Sequence, residues 1–373
     1  MNFSIFATVF ISVFALLSFY VSKRFINKLD FKLKTKSYLN IFLIFNFFGI
    51  LLYMLSRYVI SVPNFLNFLF SISIGVIFLL FLTTVFYDVF HFILKISPLN
   101  NSRRDFFKKT LDVGAVGLAS TITTTATYGA KDITLEKINI PIKNLQQEYK
   151  IVQISDVHVG GLIKKDFVLD VVNTINTLNA DIVVITGDLI DTKLDYIKES
   201  IRELSNIKST YGTYFIAGNH EYFHGLKQII SYVNSLGIKV LENENVYIGQ
   251  KDAGFYLAGV YDVMGYRIKQ YQPDIKKALK GIKDNPTVLL AHQPKFIHEV
   301  PKSVDLVLSG HTHGGQIFPF NYLVNLAQPY IKGLHSHNSN TQIYVNRGTG
   351  FWGPPMRLGA SAEITEITLV KSE

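Results

Sequence analysis

Five short apolar runs in the C-terminal two thirds of this chain each end on a residue able to bind a metal ion. This repetition constrains the fold more than any other feature. The runs read Ile151-Val152-Gln153-Ile154, Ile182-Val183-Val184-Ile185, Tyr214-Phe215-Ile216-Ala217, Val288-Leu289-Leu290 and Leu306-Val307-Leu308. Behind them come Asp156-Val157-His158, Gly187-Asp188, Gly218-Asn219-His220-Glu221, Ala291-His292 and Gly310-His311-Thr312-His313. Short β-branched runs bounded by Gly, Asp or Asn carry the signature of buried strands. In α/β sheets, ligands gather outside the carboxyl ends of such strands. Five strand ends can therefore bring a set of His, Asp and Asn side chains to one rim.

Asp156, His158, Asp188, Asn219, His292, His311 and His313 form a set of nitrogen and oxygen donors suited to Mn²⁺, Fe or Zn²⁺. The chain has no cysteine, so thiolate zinc sites, disulfides and Cys nucleophiles are excluded. Asp156 and His158 are two residues apart and can point to one side of a strand end; His311 and His313 repeat that spacing. Asp188 is the best candidate for a carboxylate shared between two ions. Two divalent ions about 3.5–4 Å apart can clamp the attacking and leaving oxygens of an in-line displacement and acidify a bound water. That chemistry is metal-assisted phosphoester hydrolysis.

Helical patterns alternate with the strands. Asp166–Leu178 carries an apolar stripe at Phe167, Val168, Val171, Val172, Ile175 and Leu178, and Tyr196–Ile207 and Leu226–Leu236 read similarly. A β-α-β series predicts a layered α/β fold.

The N-terminal third is different. Phe3–Val21, Tyr38–Ile60 and Phe65–Leu94 are apolar over the length a helix needs to cross a bilayer. Asp88 and His91 fall near the end of the third stretch, where an ionisable group reaches the interface. Residues 1–130 hold 12 Lys/Arg against four acids, a net of +8, which leaves 25 basic and 24 acidic residues in 131–373. The overall +9 thus belongs to the N-terminal third, and a nearly neutral C-terminal region argues against nucleic acid as its substrate.

Lys23, Arg24, Lys28, Lys32, Lys34 and Lys36 occupy the first loop, Ser61–Asn64 carries no charge, and Lys95, Arg103, Arg104, Lys108 and Lys109 follow the third stretch. The positive-inside rule puts the first and third of these in the cytoplasm. Ser102-Arg103-Arg104-Asp105-Phe106-Phe107-Lys108-Lys109, before the mildly apolar Leu111–Ala130, resembles a twin-arginine export signal, with the basic flank of a fourth membrane helix as the alternative. Either reading sends residues 131–373 out of the cytoplasm, still anchored, and the first makes the twin-arginine translocase a partner. The expected organisation is three transmembrane helices in 1–100, the signal or fourth helix in 101–130, a linker and first strand in 131–149, and a catalytic domain in 150–373, on a bacterial inner membrane.

The ordered blocks D-x-H, G-D, G-N-H-E, H and G-H-T-H together resemble the calcineurin-like metallophosphoesterases, over about Lys150 to Leu369. The export signal, the extension Gly314-Gly315-Gln316 and the Asn346–Pro355 region resemble a membrane-anchored bacterial branch that includes phosphodiesterases and relatives of UDP-diacylglucosamine pyrophosphatases. The resemblance implies a layered β-sandwich flanked by helices, preceded here by an all-α transmembrane region. It implies one metal on Asp156, His158, Asp188 and His313, a second on Asp188, Asn219, His292 and His311, and His220 as general acid or transition-state stabiliser. The second block ends in Asp191 where the commonest family form has Asn, a position not expected to bind metal directly. Glu221 is read either as the residue that orients His220 or as a surface carboxylate.

His224, His298, His335 and His337 lie outside the blocks and are read as packed or solvent-facing. Arg347 is read as a phosphate contact or as a turn residue. Ile317–Leu323 is read as core packing, with a lipid-facing lip as the alternative. The function expected is hydrolysis of a phosphodiester or pyrophosphate bond by a membrane-anchored enzyme, with the bilayer as partner and a substrate that is itself lipid-linked or part of the envelope. The alternative is a pyrophosphatase of lipid A synthesis. A binding protein on a degenerate enzyme fold is disfavoured by the intact ligand set.

Overall fold

The computed structural model describes residues 3–58, 62–283 and 285–372. Val59 and Ile60 of the second apolar stretch, and Ser61 of the loop after it, lie outside the described residues. Two compact units make up the chain. The first runs up to Tyr128 and includes Gly353–Met356; the second comprises Gly129–Trp352 and the residues from Arg357 onward.

The first unit is helical: α1 (Phe3–Arg24), α2 (Leu33–Tyr58), α3 (Asn64–Ile96) and α4 (Asn101–Gly129). Ala7–Lys28, Leu33–Ser56 and Asn64–Ile96 are long and apolar enough to cross a membrane. Two carboxylates tie the bundle together. Asp88 accepts hydrogen bonds from Tyr20 Oη at 2.8 Å, Arg24 Nε at 2.7 Å and Lys28 Nζ at 3.2 Å. Asp112, on α4, is buried and accepts from Tyr87 Oη at 2.7 Å, Lys108 Nζ at 2.9 Å and the backbone N–H of Asp30 at 2.6 Å. Ser102–Lys109 forms the opening turns of α4, which continues unbroken to Gly129 with Ala115, Ala119 and Ala126 buried.

Among the described residues the second unit holds twelve strands in two sheets. They are β1 (Ile133–Ile142), β2 (Tyr149–Ile154), β3 (Ile182–Ile185), β4 (Thr213–Phe215), β5 (Lys239–Val240), β6 (Glu244–Ile248), β7 (Phe255–Gly259), β8 (Thr287–Leu290), β9 (Leu306–Ser309), β10 (Gly333–Ser336), β11 (Gln342–Val345) and β12 (Ala362–Lys371). One sheet has the order β1-β12-β2-β3-β4-β5, the other β10-β11-β9-β8-β7-β6. Ile151, Ile182 and Val184 of the first sheet share a core with Val288, Leu290, Leu306 and Leu308 of the second. The alternate residues Val152, Ile154, Val183 and Ile185 face outward. They pack beneath α5 (Lys165–Thr177) and a helix at Leu226–Ser235. On the other side Leu289, Ala291 and Val307 pack with Phe296 and Ile297. Burial on both faces is why these strands read as continuous apolar runs rather than alternating ones. Each fully buried Leu, Ile or Val adds roughly 1.5–3 kcal/mol of transfer free energy.

The expected layered α/β β-sandwich flanked by helices is thus present, built from two mixed sheets. One helix departs from expectation. Tyr196–Ile207 is broken into 3₁₀ turns at Leu194–Tyr196 and Glu203–Asn206 around α6 (Lys198–Arg202). Ile197, Ile201 and Leu204 still face the core, but no side chain caps the start of any of the three pieces, and uncapped short helices tighten into 3₁₀ turns.

Candidate metal centre

All the block residues sit just past strand ends, as parallel strands that feed loops at one rim require. Asp156 and His158 follow β2, Asp188 follows β3, His292 follows β8, and His311 and His313 follow β9. Asn219 and His220 open α7 (Asn219–His224) beyond β4, and α8 (Leu226–Ser235) follows directly. Five of these residues have left-handed backbone: Asp156 (φ 51°), His158 (54°), Asp188 (49°), His311 (71°) and His313 (50°). The turns are crowded. A Cβ on Gly187 would lie 2.7 Å from both Gly218 N and His292 Nδ1, and one on Gly310 would collide with Asp156 Oδ2 and Ser155 Oγ.

The donors form clusters whose ligand atoms lie within 4.8 Å of one another. In the first, Asp156 Oδ1 is 3.5 Å from His313 Nε2 and 3.9 Å from His158 Nε2, and the two Nε2 atoms are 3.0 Å apart. In the second, His292 Nε2 is 3.2 Å from Asp188 Oδ2 and 3.2 Å from Asn219 Oδ1, with His311 completing the group. Asp188 Oδ2 is also 4.0 Å from His158 Nε2, so this one carboxylate faces both clusters. His292 Nδ1 donates to Thr186 O at 2.7 Å, which turns its Nε2 toward the cluster.

Burial pushes the Asp156 carboxyl up to about 6. Burial would raise Asp188 too, but the His292, His220 and His158 rings hold it well below the usual carboxylate range. Burial, reinforced by neighbouring rings, pulls His311 down to about 3 and His313 well below its ordinary value. Both therefore stay neutral at physiological pH and keep a lone pair for a cation. Asp156 Oδ2 is satisfied by Ser155 Oγ at 2.5 Å and the His311 N–H at 2.8 Å. Among the described residues Asp156 Oδ1 is buried without a hydrogen-bond partner, directed at two imidazole nitrogens. A buried carboxylate oxygen left alone is costly, and a divalent cation is the partner that fits it.

Between the clusters stands His220, its Nε2 3.9 Å from Asp188 Oδ2 and its Nδ1 2.8 Å from Asp191 Oδ1. The residue that orients His220 is thus Asp191. Glu221 is fully buried, not a surface group, and accepts backbone N–H bonds from Gly218 (2.7 Å), Leu189 (2.9 Å), Asp188 (3.1 Å) and Ile190 (3.2 Å). It locks two ligand turns together and leaves His220 to Asp191. Three-residue spacing from Asp188 was the available signal for Asp191, since the Asp188–Asp191 turn brings both carboxylates to the same rim.

Residues 149–315 match the family model described as calcineurin-like phosphoesterase. A Helicobacter pylori metallophosphoesterase is 42% identical over 313 residues, 83% of this chain and 83% of its own length. The chain belongs to the calcineurin-like metallophosphoesterases. A Campylobacter jejuni metallophosphoesterase is 33% identical and covers 99% of both chains. A Bos taurus transmembrane protein with metallophosphoesterase domain is 38% identical over 62% of this chain and 56% of its own length. Similarity to a transmembrane relative and three membrane-length helices agree that this metallophosphoesterase is a membrane protein.

Around the centre, the metallophosphoesterase chain settles two open readings. Arg347 pairs with Glu363 and Glu136, so it is a structural turn residue. Arg357 is buried, and burial lowers its guanidinium to about 10. It donates to the carbonyls of Gly350 (2.6 Å), Arg347 (2.8 Å), Ala360 (2.9 Å) and Gly348 (3.1 Å), with Nη2 3.2 Å from His313 Nδ1. Core packing fails for most of Ile317–Leu323: Ile317 is buried, but Phe318, Phe320, Tyr322 and Leu323 are exposed. The backbone turns there into a short helix, Asn321–Ala327, with no buried residue. His335 stacks on Tyr330 and His337 lies near His298, away from the five blocks in sequence.

Proposed function

We propose that this metallophosphoesterase is a membrane-anchored, dinuclear metal-dependent hydrolase of a phosphodiester or pyrophosphate bond in a substrate held at the membrane. One observation carries the reading: Asp188 Oδ2 faces two donor clusters at once, 3.2 Å from His292 and 4.0 Å from His158. Asp156, His158, Asp188 and His313 would hold one ion, and Asp188, Asn219, His292 and His311 the other. When bound, such a pair supplies Lewis-acid polarisation of the phosphoryl oxygens and an acidified water. His220, held by Asp191, would present Nε2 toward the leaving oxygen as a general acid or transition-state stabiliser. Asp191 fixes the ring and stabilises its charged form. Glu221 keeps the Asp188 and Asn219 turns in register.

Residues 101–129 serve in this reading as a fourth helix of the anchor, since Asp112 is buried among partners from the rest of the bundle. A removable export signal would leave Tyr87 and the Asp30 N–H without their acceptor. The loop charges favour a catalytic unit outside the cytoplasm.

The test is hydrolysis of a bis-aryl phosphate by the full chain in detergent with Mn²⁺, against Asp188→Asn and His220→Ala. Activity lost in both variants supports metal-assisted hydrolysis. A folded, metal-loaded protein silent on diesters and pyrophosphates rejects it. A reporter fused at the C terminus reads the side of the membrane, and a cytoplasmic result would favour a nucleotide-linked acyl sugar as substrate.

A further inference from the structure

The apolar ridge beside the metal centre has no counterpart in the proposed chemistry. Phe318 and Phe320 lead into the helix Asn321–Ala327, where Tyr322 is 64%, Leu323 58% and Leu326 84% exposed. Trp352 joins the ridge through Gln316: Gln316 Nε2 donates to Trp352 O and the Trp352 N–H donates to Gln316 Oε1, both at 2.9 Å. The ridge borders the reaction centre directly, since the Trp352 ring lies 6.1 Å from the His220 ring and Phe318 is five residues past His313. Leaving large side chains this exposed costs free energy in water, so the ridge calls for a cover.

We propose that this ridge inserts into the acyl and headgroup boundary of the bilayer to which the chain is anchored, and so presents lipid phosphoesters to the metal centre. Three observations choose a lipid surface over a protein partner. Aromatic residues with polar tips beside bare leucines are what an interfacial segment uses. Between Leu306 and Ala362 the sequence contains no Asp or Glu, while Lys332 is present; such a stretch meets an anionic headgroup layer without repulsion. Only Ala130–Asp132 separates α4 from β1, so the catalytic unit is tethered to the bilayer. The inference rests on the phosphoesterase reading for its substrate, but not for its test.

Trp352 is the only tryptophan in the chain, so native fluorescence reports on the ridge alone. The full chain is reconstituted in vesicles of phosphatidylcholine and phosphatidylglycerol, with plain or brominated acyl chains. A ridge seated about 5–10 Å into the boundary should lose roughly half or more of its emission to the brominated lipid. Leu323→Asp/Leu326→Asp should abolish that quenching while the melting temperature holds; if the pair disturbs folding, Leu326→Asn alone makes the same comparison. Unquenched wild-type Trp352, or equal quenching in the variant, overturns the proposal, and the former result leaves a second protein surface as the cover. No turnover is involved, so a quenched tryptophan in a protein that cleaves no phosphoester keeps the ridge and rejects the enzyme. An active enzyme with an unquenched tryptophan does the reverse.

Discussion

His220 Nδ1 lies 2.8 Å from Asp191 Oδ1, and this contact, not one with its sequence neighbour Glu221, fixes the orientation of the one histidine held between both donor clusters. Asp191→Ala should lower kcat on an aryl diester about 10–100-fold, as losing an orienting partner does, with KM little changed. Metal analysis of the same variant separates positioning from ligation. Two ions still bound support positioning, whereas loss of an ion would make Asp191 a ligand, as its place beside His158 and His220 permits.

Asp188→Asn should remove more metal than any other single ligand change, because its carboxylate serves both clusters. Elemental analysis is expected to find well under one equivalent, against two in the wild type. Asp156→Asn, confined to one cluster, should lose only one. Equal losses in the two variants would contradict the shared role of Asp188.

The metal-free protein should weaken as pH rises through Asp262. This carboxyl is buried, and burial pushes its pKa up to about 6 from 3.8; its Oδ1 accepts from Gln293 and the Met264 N–H, while Oδ2 has no hydrogen-bond partner among the described residues. A raised folded-state pKa means the folded chain binds more protons than the unfolded one between pH 4 and 6. Its contribution is therefore full below pH 4 and is lost as pH climbs past 6, by on the order of 2–3 kcal/mol. Asp262→Asn should flatten the fall in Tm over that window, and an unchanged slope would assign the dependence to other groups.

Arg357→Lys keeps a positive charge but not the planar fork that reaches four carbonyls and His313. Buried carbonyls left without donors should cost about 2–4 kcal/mol in unfolding experiments. Metal affinity should fall roughly 10–100-fold at the site that includes His313, measured by titration with a competing chelator. Lost stability with unchanged affinity would make Arg357 a packing residue alone.

Strands buried on both faces declare themselves as unbroken apolar runs, which is why β2, β3, β8 and β9 were legible with their strand-end donors. Apart from the first strand expected within 131–149, the edge strands and β12 were not legible. Ala362–Lys371 has mixed polarity, and its pairing with β1 and β2 depends on residues more than 200 positions away. Asp191 escaped because spacing cannot tell which carboxylate reaches a ring across a turn. Core packing was the wrong reading for most of Ile317–Leu323, because an apolar segment after a metal loop looks the same in sequence whether it is buried or exposed.

Left-handed backbone at five donor residues has a consequence for engineering. Each such Asp or His costs roughly 1 kcal/mol relative to a relaxed conformation, and glycine would hold the same torsions at little cost. A thermostability screen run on metal-free protein would therefore enrich glycines at Asp156, His158, Asp188, His311 and His313, dismantling the centre one gain at a time. Selection for robustness in this scaffold must be run with the ions present, or it will return a sturdier protein with nothing left to hold them.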